Sequence, residues 1–149
     1  TAAQAVVSAR SNRPIETVND LKNSLQRYVP RGKENKYFAQ VFQALRIEVN
    51  DEMGALQDFL TQSVEVLKPT GRLVVMSYHS LEDRLVKNFI AKGKFYGEVE
   101  KDLFGNDLKP LQSVTRKPIE ASAEEIAQNS RARSAKLRVA EKLKPVAKG

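Results

Sequence analysis

The chain has 149 residues, 41% hydrophobic and 29% charged, enough for one substantial core and too few for two independent enzyme domains. With no cysteine and a single histidine, it lacks the ligands of disulfide frameworks, zinc knuckles and multi-histidine centres, so no metal site is expected. No stretch approaches the ~20 apolar residues of a membrane span. We therefore expect a cytoplasmic protein without a membrane partner, and the formal charge of +7 favours a polyanionic partner.

The first half of the chain has the pattern of helices. Thr17 is a good N-cap for a short amphipathic helix that Pro30 and Gly32 close. From residue 36 to residue 67 apolar residues recur at helical spacing, which predicts one long helix or two in series with a break at residues 50–51. The aromatic residues at the start of that stretch are expected in the core: Tyr37, Phe38 and Phe42.

The second half predicts the order β-α-β-(short α)-β. The apolar run Leu73–Met76 follows a turn and is typical of a strand buried on both faces, which favours a parallel sheet. The elements predicted after it are a helix capped by Ser80 and ended by Gly93, a strand from Ser113 to Lys117, a short helix with a Ser122–Glu125 capping box, and a final strand from Ala135 to Val139.

The most informative stretch is Ser77-Tyr78-His79-Ser80, directly after the first predicted strand. In an open α/β sheet ligands bind beyond the carboxyl ends of the strands, so these polar side chains occupy the expected place for a site. The alternative is structural: Ser80 caps the helix, Tyr78 packs and His79 bonds a backbone carbonyl. The sequence has neither a Gly-x-Ser-x-Gly turn nor a glycine-rich phosphate loop, which argues against a serine hydrolase and a complete nucleotide-cofactor enzyme.

Positive charge is concentrated near the C-terminal end. Residues 116–149 contain nine lysines and arginines against four acids, whereas the preceding 115 residues contain sixteen against fourteen. Four of these cations alternate with small residues, as a phosphate-contacting edge would: Arg131, Arg133, Lys136 and Arg138. The alternative is a solvated face that protects an edge strand from unwanted pairing.

Three stretches, residues 42–52, 71–84 and 130–141, are together similar to the ribosomal RNA small subunit methyltransferase H family. The resemblance extends from Thr1 to about Leu143. It implies an S-adenosylmethionine-dependent enzyme that methylates the exocyclic N4 of a cytidine in 16S rRNA of the small ribosomal subunit. Tyr78 stands where the family more often has phenylalanine, and the linker at residues 32–36 lacks a His-Pro stretch that many members carry.

The resemblance also implies an α/β fold in which this chain is the C-terminal part of a Rossmann-like methyltransferase sheet. It would supply the last three strands, with the final one antiparallel between the other two. Residues 1–36 would belong to a helical substrate-recognition insertion, and residues 37–149 to the methyltransferase domain. The family's glycine-rich cofactor loop would precede this chain, so no cofactor-binding residue is expected here and the chain alone is expected to be inactive.

An exocyclic cytosine amine is a poor nucleophile, so groups that accept its N–H hydrogens are needed to orient it. We expect Ser77 and His79 to form the cytidine pocket, with Tyr78 or Ser80 shaping it. An apolar sheet edge left open by the missing strands predicts self-association. The competing function is a non-catalytic basic RNA-binding or ribosome-assembly module. The residues expected to bind RNA phosphates are Arg84, Arg116, Lys117, Arg131, Arg133, Lys136 and Arg138.

Overall fold

The computed structural model describes residues 1–144, which form two compact units, Thr1–Glu52 and a second that begins at Met53. The helices and strands are α1 Ala2–Asn12, α2 Val18–Leu25, α3 Glu34–Asn50, α4 Glu52–Val66, β1 Arg72–Ser77, α5 Ser80–Lys92, β2 Leu111–Ser113, β3 Ile119–Glu120, α6 Ala123–Gln128 and β4 Lys136–Lys142. Short 3-10 turns occupy Gln26–Tyr28 and Ser130–Ser134. Within residues 1–144, no helix combines the length and apolarity that a bilayer crossing needs.

The first unit is helical. Thr17 caps α2 as predicted: its hydroxyl accepts the Asp20 N–H at 3.1 Å, and the Asp20 carboxylate accepts the Thr17 N–H at 3.0 Å. The buried core contains Ala5, Leu25 and Phe38. The predicted aromatic core is confirmed, because Phe38 is buried and Tyr37 and Phe42 pack against the same cluster.

The long periodic stretch forms two helices in series. Asp51, between α3 and α4, adopts the left-handed conformation with φ of 48°, and its N–H donates to carbonyls of the last turn of α3. An aspartate tolerates this conformation better than most side chains do. The predicted break at residues 50–51 is therefore confirmed.

The second unit contains a sheet with the strand order β1-β4-β2, and β3 also pairs with β4. Every pairing with β4 is antiparallel, with Val74 opposite Val139, Gln112 opposite Glu141 and Ile119 opposite Leu137. Because β1 and β2 both run against β4, they are parallel to each other. The prediction that the final strand runs antiparallel between the other two is confirmed.

One face of this sheet is covered by helices. Leu73 and Val75 of β1 pack with Leu60 of α4 and with Val86 and Phe89 of α5 in one buried cluster. Alternate residues point to the other face, where Val74 and Met76 are 55% and 52% exposed. The expectation of a strand buried on both faces is therefore wrong for the described residues, in which β1 has antiparallel β4 as its only strand partner. We call the less covered side the open face.

The strand boundaries in the C-terminal part differ from the predicted ones. The strand predicted at Ser113–Lys117 ends at Ser113, because the Ser113 hydroxyl donates to the Thr115 carbonyl and turns the chain away. β4 extends beyond the predicted Val139 to Lys142, whose amine donates to the Leu67 carbonyl at 2.7 Å and closes the end of α4. The division of the two units after Glu52 does not test the predicted boundary at residue 36, which stays a prediction. Compactness does not identify either part, so the assignment to an insertion and a methyltransferase domain stays a prediction.

Candidate nucleic-acid-facing site

The polar residues singled out by the sequence gather at one edge of the sheet. The carboxyl ends of β1 and β2 point the same way, and antiparallel β4 begins at that edge, with Ser77 opposite Lys136. Glu120 of β3 is also opposite Lys136. The segments that follow β1 and β3 and the turn that leads into β4 therefore meet at the carboxyl edge, the place where open α/β sheets bind ligands.

Ser77 lies on the helix-covered face. It is 4% exposed, and its hydroxyl donates to the Lys136 carbonyl at 3.4 Å. The bond ties the end of β1 to the start of β4. The predicted pocket would require this hydroxyl to be accessible at the carboxyl edge. The structure instead buries it.

His79, and not Ser80, is the N-cap of α5, so the predicted cap is wrong. The His79 Nδ1 accepts the Glu82 N–H at 3.4 Å, while the Glu82 carboxylate accepts the Tyr78 N–H at 2.8 Å and the His79 N–H at 3.4 Å. This reciprocal arrangement satisfies N–H groups that the first helical turn leaves unpaired. Ser80 becomes the first helical residue and is exposed.

The His79 ring is held closely by this cap. Its side chain is 12% exposed, and its Nε2 lies 3.3 Å from Glu82 Oε1 without the alignment of a hydrogen bond. Nδ1 therefore contacts the Glu82 backbone and Nε2 lies beside the Glu82 carboxylate. Through these contacts the imidazole orders the start of α5.

Tyr78 is the member of the stretch that faces a cavity. The cavity lies on the open face at the carboxyl edge and has a volume of about 240 Å³. Tyr78 is 56% exposed. The lining residues are Met76, Tyr78, Ile119, Glu120, Ala121, Glu125, Asn129, Ala132, Ala135 and Leu137.

Arg138 is engaged in an ion pair with Asp83 of α5. Its guanidinium donates to the two carboxylate oxygens at 2.7 and 3.0 Å, and the side chains are only 14% and 13% exposed. The hydrogen bonds from Arg138 hold the pKa of the Asp83 carboxyl below its usual value, helped by the positive charges of Arg138, Lys136 and Lys87. The geometry argues against a phosphate-binding role for Arg138. Lys136, 4.0 Å from the same carboxylate, is less constrained.

The other predicted phosphate-binding residues remain accessible. Five are exposed and form no ion pair within residues 1–144: Arg84, Arg116, Lys117, Arg131 and Arg133. Arg131 and Arg133 lie in the 3-10 turn before β4, whose Ala132 lines the cavity. Arg116 and Lys117 lie in the bend between β2 and β3. Exposed cationic side chains therefore lie on the segments that directly precede β3 and β4, both of which contribute residues to the cavity lining.

Residues 1–143 match the family model described as the MraW methylase family. The chain belongs to this family. It is 60% identical over 142 residues to the ribosomal RNA small subunit methyltransferase H of Cytophaga hutchinsonii, covering 95% of this chain and 47% of that protein. The proteins of the same name from Amoebophilus asiaticus and Flavobacterium johnsoniae are 56% identical over 140 residues and 54% over 141. These matches cover 94% and 95% of this chain, and 45% and 46% of those proteins.

The chain spans about half the length of the curated relatives it matches. Family membership implies a Rossmann-like fold, which the mixed helix and sheet architecture accommodates.

Sequence reasoning missed Glu120 and Glu125 among the residues that line the cavity. The sequence pattern predicts Glu125 only as a partner in a helix cap, and its backbone N–H does bond the Ser122 hydroxyl at 3.2 Å. Glu120 belongs to a two-residue strand that has no periodic signal. The position of Glu120 beside the cavity follows from the pairing of β3 with β4, which local sequence does not reveal.

Proposed function

We propose that the protein to which this chain belongs transfers a methyl group from S-adenosylmethionine to N4 of a cytidine in 16S rRNA, acting on the small ribosomal subunit in the cytoplasm. The observation that carries the proposal is the family match over residues 1–143 together with relatives named as ribosomal RNA small subunit methyltransferase H.

The chain's part in this function is to present the carboxyl edge to RNA. The exposed cations on the segments around the cavity suit phosphate contacts, which position nucleic acid without reading its sequence. In contrast, Ser77 and His79 have structural bonds, so we propose that they position the cavity wall and do not touch the nucleotide.

The described residues do not fit a complete cofactor site. The turn after β1 reads Ser77-Tyr78-His79, and no strand within residues 1–144 is followed by a glycine-rich loop that opens a helix. We therefore assign the methyl donor to the portion of the relatives that this chain does not match, and calorimetry of the chain with S-adenosylmethionine should show no binding heat.

The test is a methylation assay with the full-length protein. Small ribosomal subunits from a strain without the modification are incubated with the protein and isotope-labelled S-adenosylmethionine, and nucleosides are separated by mass spectrometry. Labelled N4-methylcytidine is the expected product. Labelled rRNA with the methyl on another atom, or RNA binding without any transfer, contradicts the proposal, and the latter would favour a non-catalytic RNA-binding module.

The proposed RNA contact at the carboxyl edge is tested separately. Replacing Arg131 and Arg133 with alanine should weaken rRNA binding and make its salt dependence shallower, by roughly 0.7 to 0.9 in the log–log slope for each phosphate that is no longer neutralised. The matched control is Arg72→Ala, because Arg72 is also exposed but lies at the opposite end of β1. An equal weakening in both variants would contradict the assignment of the carboxyl edge.

A further inference from the structure

The segment between α5 and β2 contains a small hairpin, residues 100–108. Its two arms are joined where the Leu108 N–H donates to the Glu100 carbonyl at 2.7 Å. Lys101 and Asp107 lie opposite each other as an antiparallel bridge, and their side chains form an ion pair at 3.3 Å. This hairpin is therefore held together by contacts of its own.

Asp102 fixes the tip of the hairpin. Its Oδ1 accepts the N–H groups of Phe104 at 2.9 Å and of Asn106 at 2.8 Å, and its Oδ2 accepts the Asn106 side-chain amide at 2.9 Å. Gly105, with φ of 84°, lets the chain turn, and its N–H donates to the Asp102 carbonyl at 3.0 Å. The conformation of the tip is thus determined within the hairpin.

This fixed turn presents two adjacent apolar side chains to solvent. Leu103 is 101% exposed and Phe104 is 90% exposed. A single exposed apolar side chain is ordinary on a protein surface, but burial of a leucine and a phenylalanine together is strongly favourable. An adjacent pair on an ordered turn is therefore suited to insertion into an apolar pocket of another molecule.

The charges of the hairpin argue against RNA as that molecule. Each of the three lysines in residues 94–109 lies in an ion pair with an acid of the same stretch: Lys94 with Glu100, and Lys101 and Lys109 with Asp107. The same residues contain four acids and no arginine. Aromatic side chains that stack on unpaired bases are normally accompanied by a positively charged groove. The tip is better matched to an apolar pocket on a protein.

The hairpin leaves the sheet at the edge opposite the carboxyl edge. β2 begins at Leu111, which pairs with Lys142 at the end of β4, whereas the carboxyl edge lies at Ser77 and Lys136. The second unit can therefore contact rRNA at one edge and a protein at the other, and a ribosomal subunit offers both.

The size of the tip also bears on the partner. An aromatic side chain buries about 150–250 Å², so the tip buries a few hundred Å². A stable interface needs about 800 Å² from each partner. The tip is thus suited to one contact within a larger interface, and it is too small to hold two copies of this chain together.

We propose that Leu103 and Phe104 dock into an apolar pocket on a protein of the small ribosomal subunit. The inference rests on the proposed function, in which that subunit is the substrate. The hairpin is then a docking element that places the enzyme on the particle. Asp102 is a positioning residue, because it holds the tip in the shape that docks.

The partner is identified by crosslinking. Full-length protein with photoreactive benzoylphenylalanine in place of Phe104 is irradiated with purified small ribosomal subunits, and the products are digested and identified by mass spectrometry. A crosslink to a ribosomal protein is expected. A crosslink to rRNA, to a second copy or to another part of the same chain overturns the inference, and so does the absence of any crosslink. The control carries the same group in place of Val66, which is 81% exposed at the end of α4, and should not crosslink to that ribosomal protein.

The contribution of the tip is measured by binding of full-length protein. Leu103→Ser and Phe104→Ser should each weaken binding to small subunits by roughly tenfold to a hundredfold and leave binding to protein-free 16S rRNA unchanged. Val66→Ser, which also removes an exposed apolar side chain, should change neither affinity. Parental affinity for subunits in both tip variants, or equal weakening on subunits and on protein-free rRNA, overturns the inference.

Two further measurements test how the tip acts. The tip variants should keep the parental midpoint of urea unfolding, because a lower midpoint would mean that the tip packs within the full-length protein itself and would overturn the inference. Asp102→Ala should weaken binding to subunits several-fold although both apolar side chains remain, and Asp102→Asn, which keeps the Oδ1 acceptor, should restore most of it. Parental affinity in Asp102→Ala contradicts the positioning role.

The two proposals fail in different ways. If the parental protein makes N4-methylcytidine while the tip variants bind subunits as the parental protein does, the docking inference is wrong and the proposed function stands. If the parental protein makes no N4-methylcytidine but Phe104 crosslinks to a ribosomal protein and the tip variants lose affinity, the docking inference stands and the proposed reaction is wrong.

Discussion

The ion pair between Asp83 and Arg138 joins α5 to the central strand of the sheet, and its removal should be costly. We consider Asp83→Asn, which keeps the shape of the side chain and removes its charge. The Arg138 guanidinium would then remain with 14% exposure and no neutralising carboxylate opposite it. The expected result is a large loss of stability in the second unit.

The size of this loss follows from the geometry. Exposed ion pairs contribute about 0.2 to 1 kcal/mol, whereas removing one partner of a buried pair costs about 3 to 5 kcal/mol. The Asp83–Arg138 pair has side chains 13% and 14% exposed and two hydrogen bonds, of 2.7 and 3.0 Å. Its contribution to stability should therefore be closer to that of a buried pair than to that of an exposed one. We expect Asp83→Asn to lower the free energy of unfolding by about 2 to 3 kcal/mol.

The assay is urea unfolding followed by the backbone amide NMR signals of β1 and β4, because the chain has two compact units and a global probe would mix them. Arg138→Met and the double variant complete a cycle whose coupling energy should be about 1.5 to 3 kcal/mol. Lys136→Met is the control. Its amine lies 4.0 Å from Asp83 on a side chain 42% exposed, so its loss should cost under about 1 kcal/mol.

The same pair predicts a pH dependence. The folded-state pKa of Asp83 is lowered, so the carboxylate stabilises the fold fully above its unfolded pKa of about 3.9, and this contribution is lost as the pH falls through the lower folded value. The difference in free energy of unfolding between the parental chain and Asp83→Asn should have its full value at about pH 6 and become smaller below about pH 4. Two results would refute this reasoning. One is a loss of stability in Asp83→Asn no larger than that in Lys136→Met. The other is a stability difference between Asp83→Asn and the parental chain that does not change with pH.

Three further predictions concern the second unit. Gly93→Ala should destabilise it by about 1 to 2 kcal/mol in urea unfolding, because φ is +72° and the new Cβ would lie 2.9 Å from Pro110 Cδ; an unchanged midpoint contradicts this. Lys142→Met removes the amine that bonds the Leu67 carbonyl, so hydrogen exchange in the last turn of α4 should speed up, whereas exposed Lys144→Met should leave it unchanged. The edge of β1 away from β4 has no strand partner within residues 1–144, so light scattering should show self-association that increases with concentration, and a monomer at every concentration would count against it.

The helices of the first unit were predictable because their signals are local. Thr17 and Asp20 are three residues apart, which is enough to form a reciprocal cap without tertiary contacts. The spacing of Phe38 and its neighbours similarly placed a core face on α3.

The start of α5 shows where local preference was insufficient. Serine is a better N-cap than histidine by general preference, which favoured Ser80. The structure selects His79 because Glu82 stands three residues beyond it and can accept both the Tyr78 and the His79 N–H groups. The partner residue, more than the cap residue itself, decided the helix boundary.

The candidate site was predictable only as a region. The carboxyl end of β1 could be inferred from the apolar run and the turn residues around it, and that edge does contain the cavity. Which side chains face the cavity depends on alternation along β1 and on the register of β3 against β4. A one-residue change in register would exchange the two faces, so Tyr78 and Ser77 could not be separated from sequence alone.

The central position of β4 has a consequence for synthesis on the ribosome. Among residues 1–144 every pairing in the sheet involves β4, yet β4 follows the other strands in sequence. While β1, β2 and β3 have already emerged, their backbone groups lack a partner until Lys136–Lys142 leaves the exit tunnel. The pairs that β4 makes with these strands therefore form together, in one late step after Lys136–Lys142 has emerged.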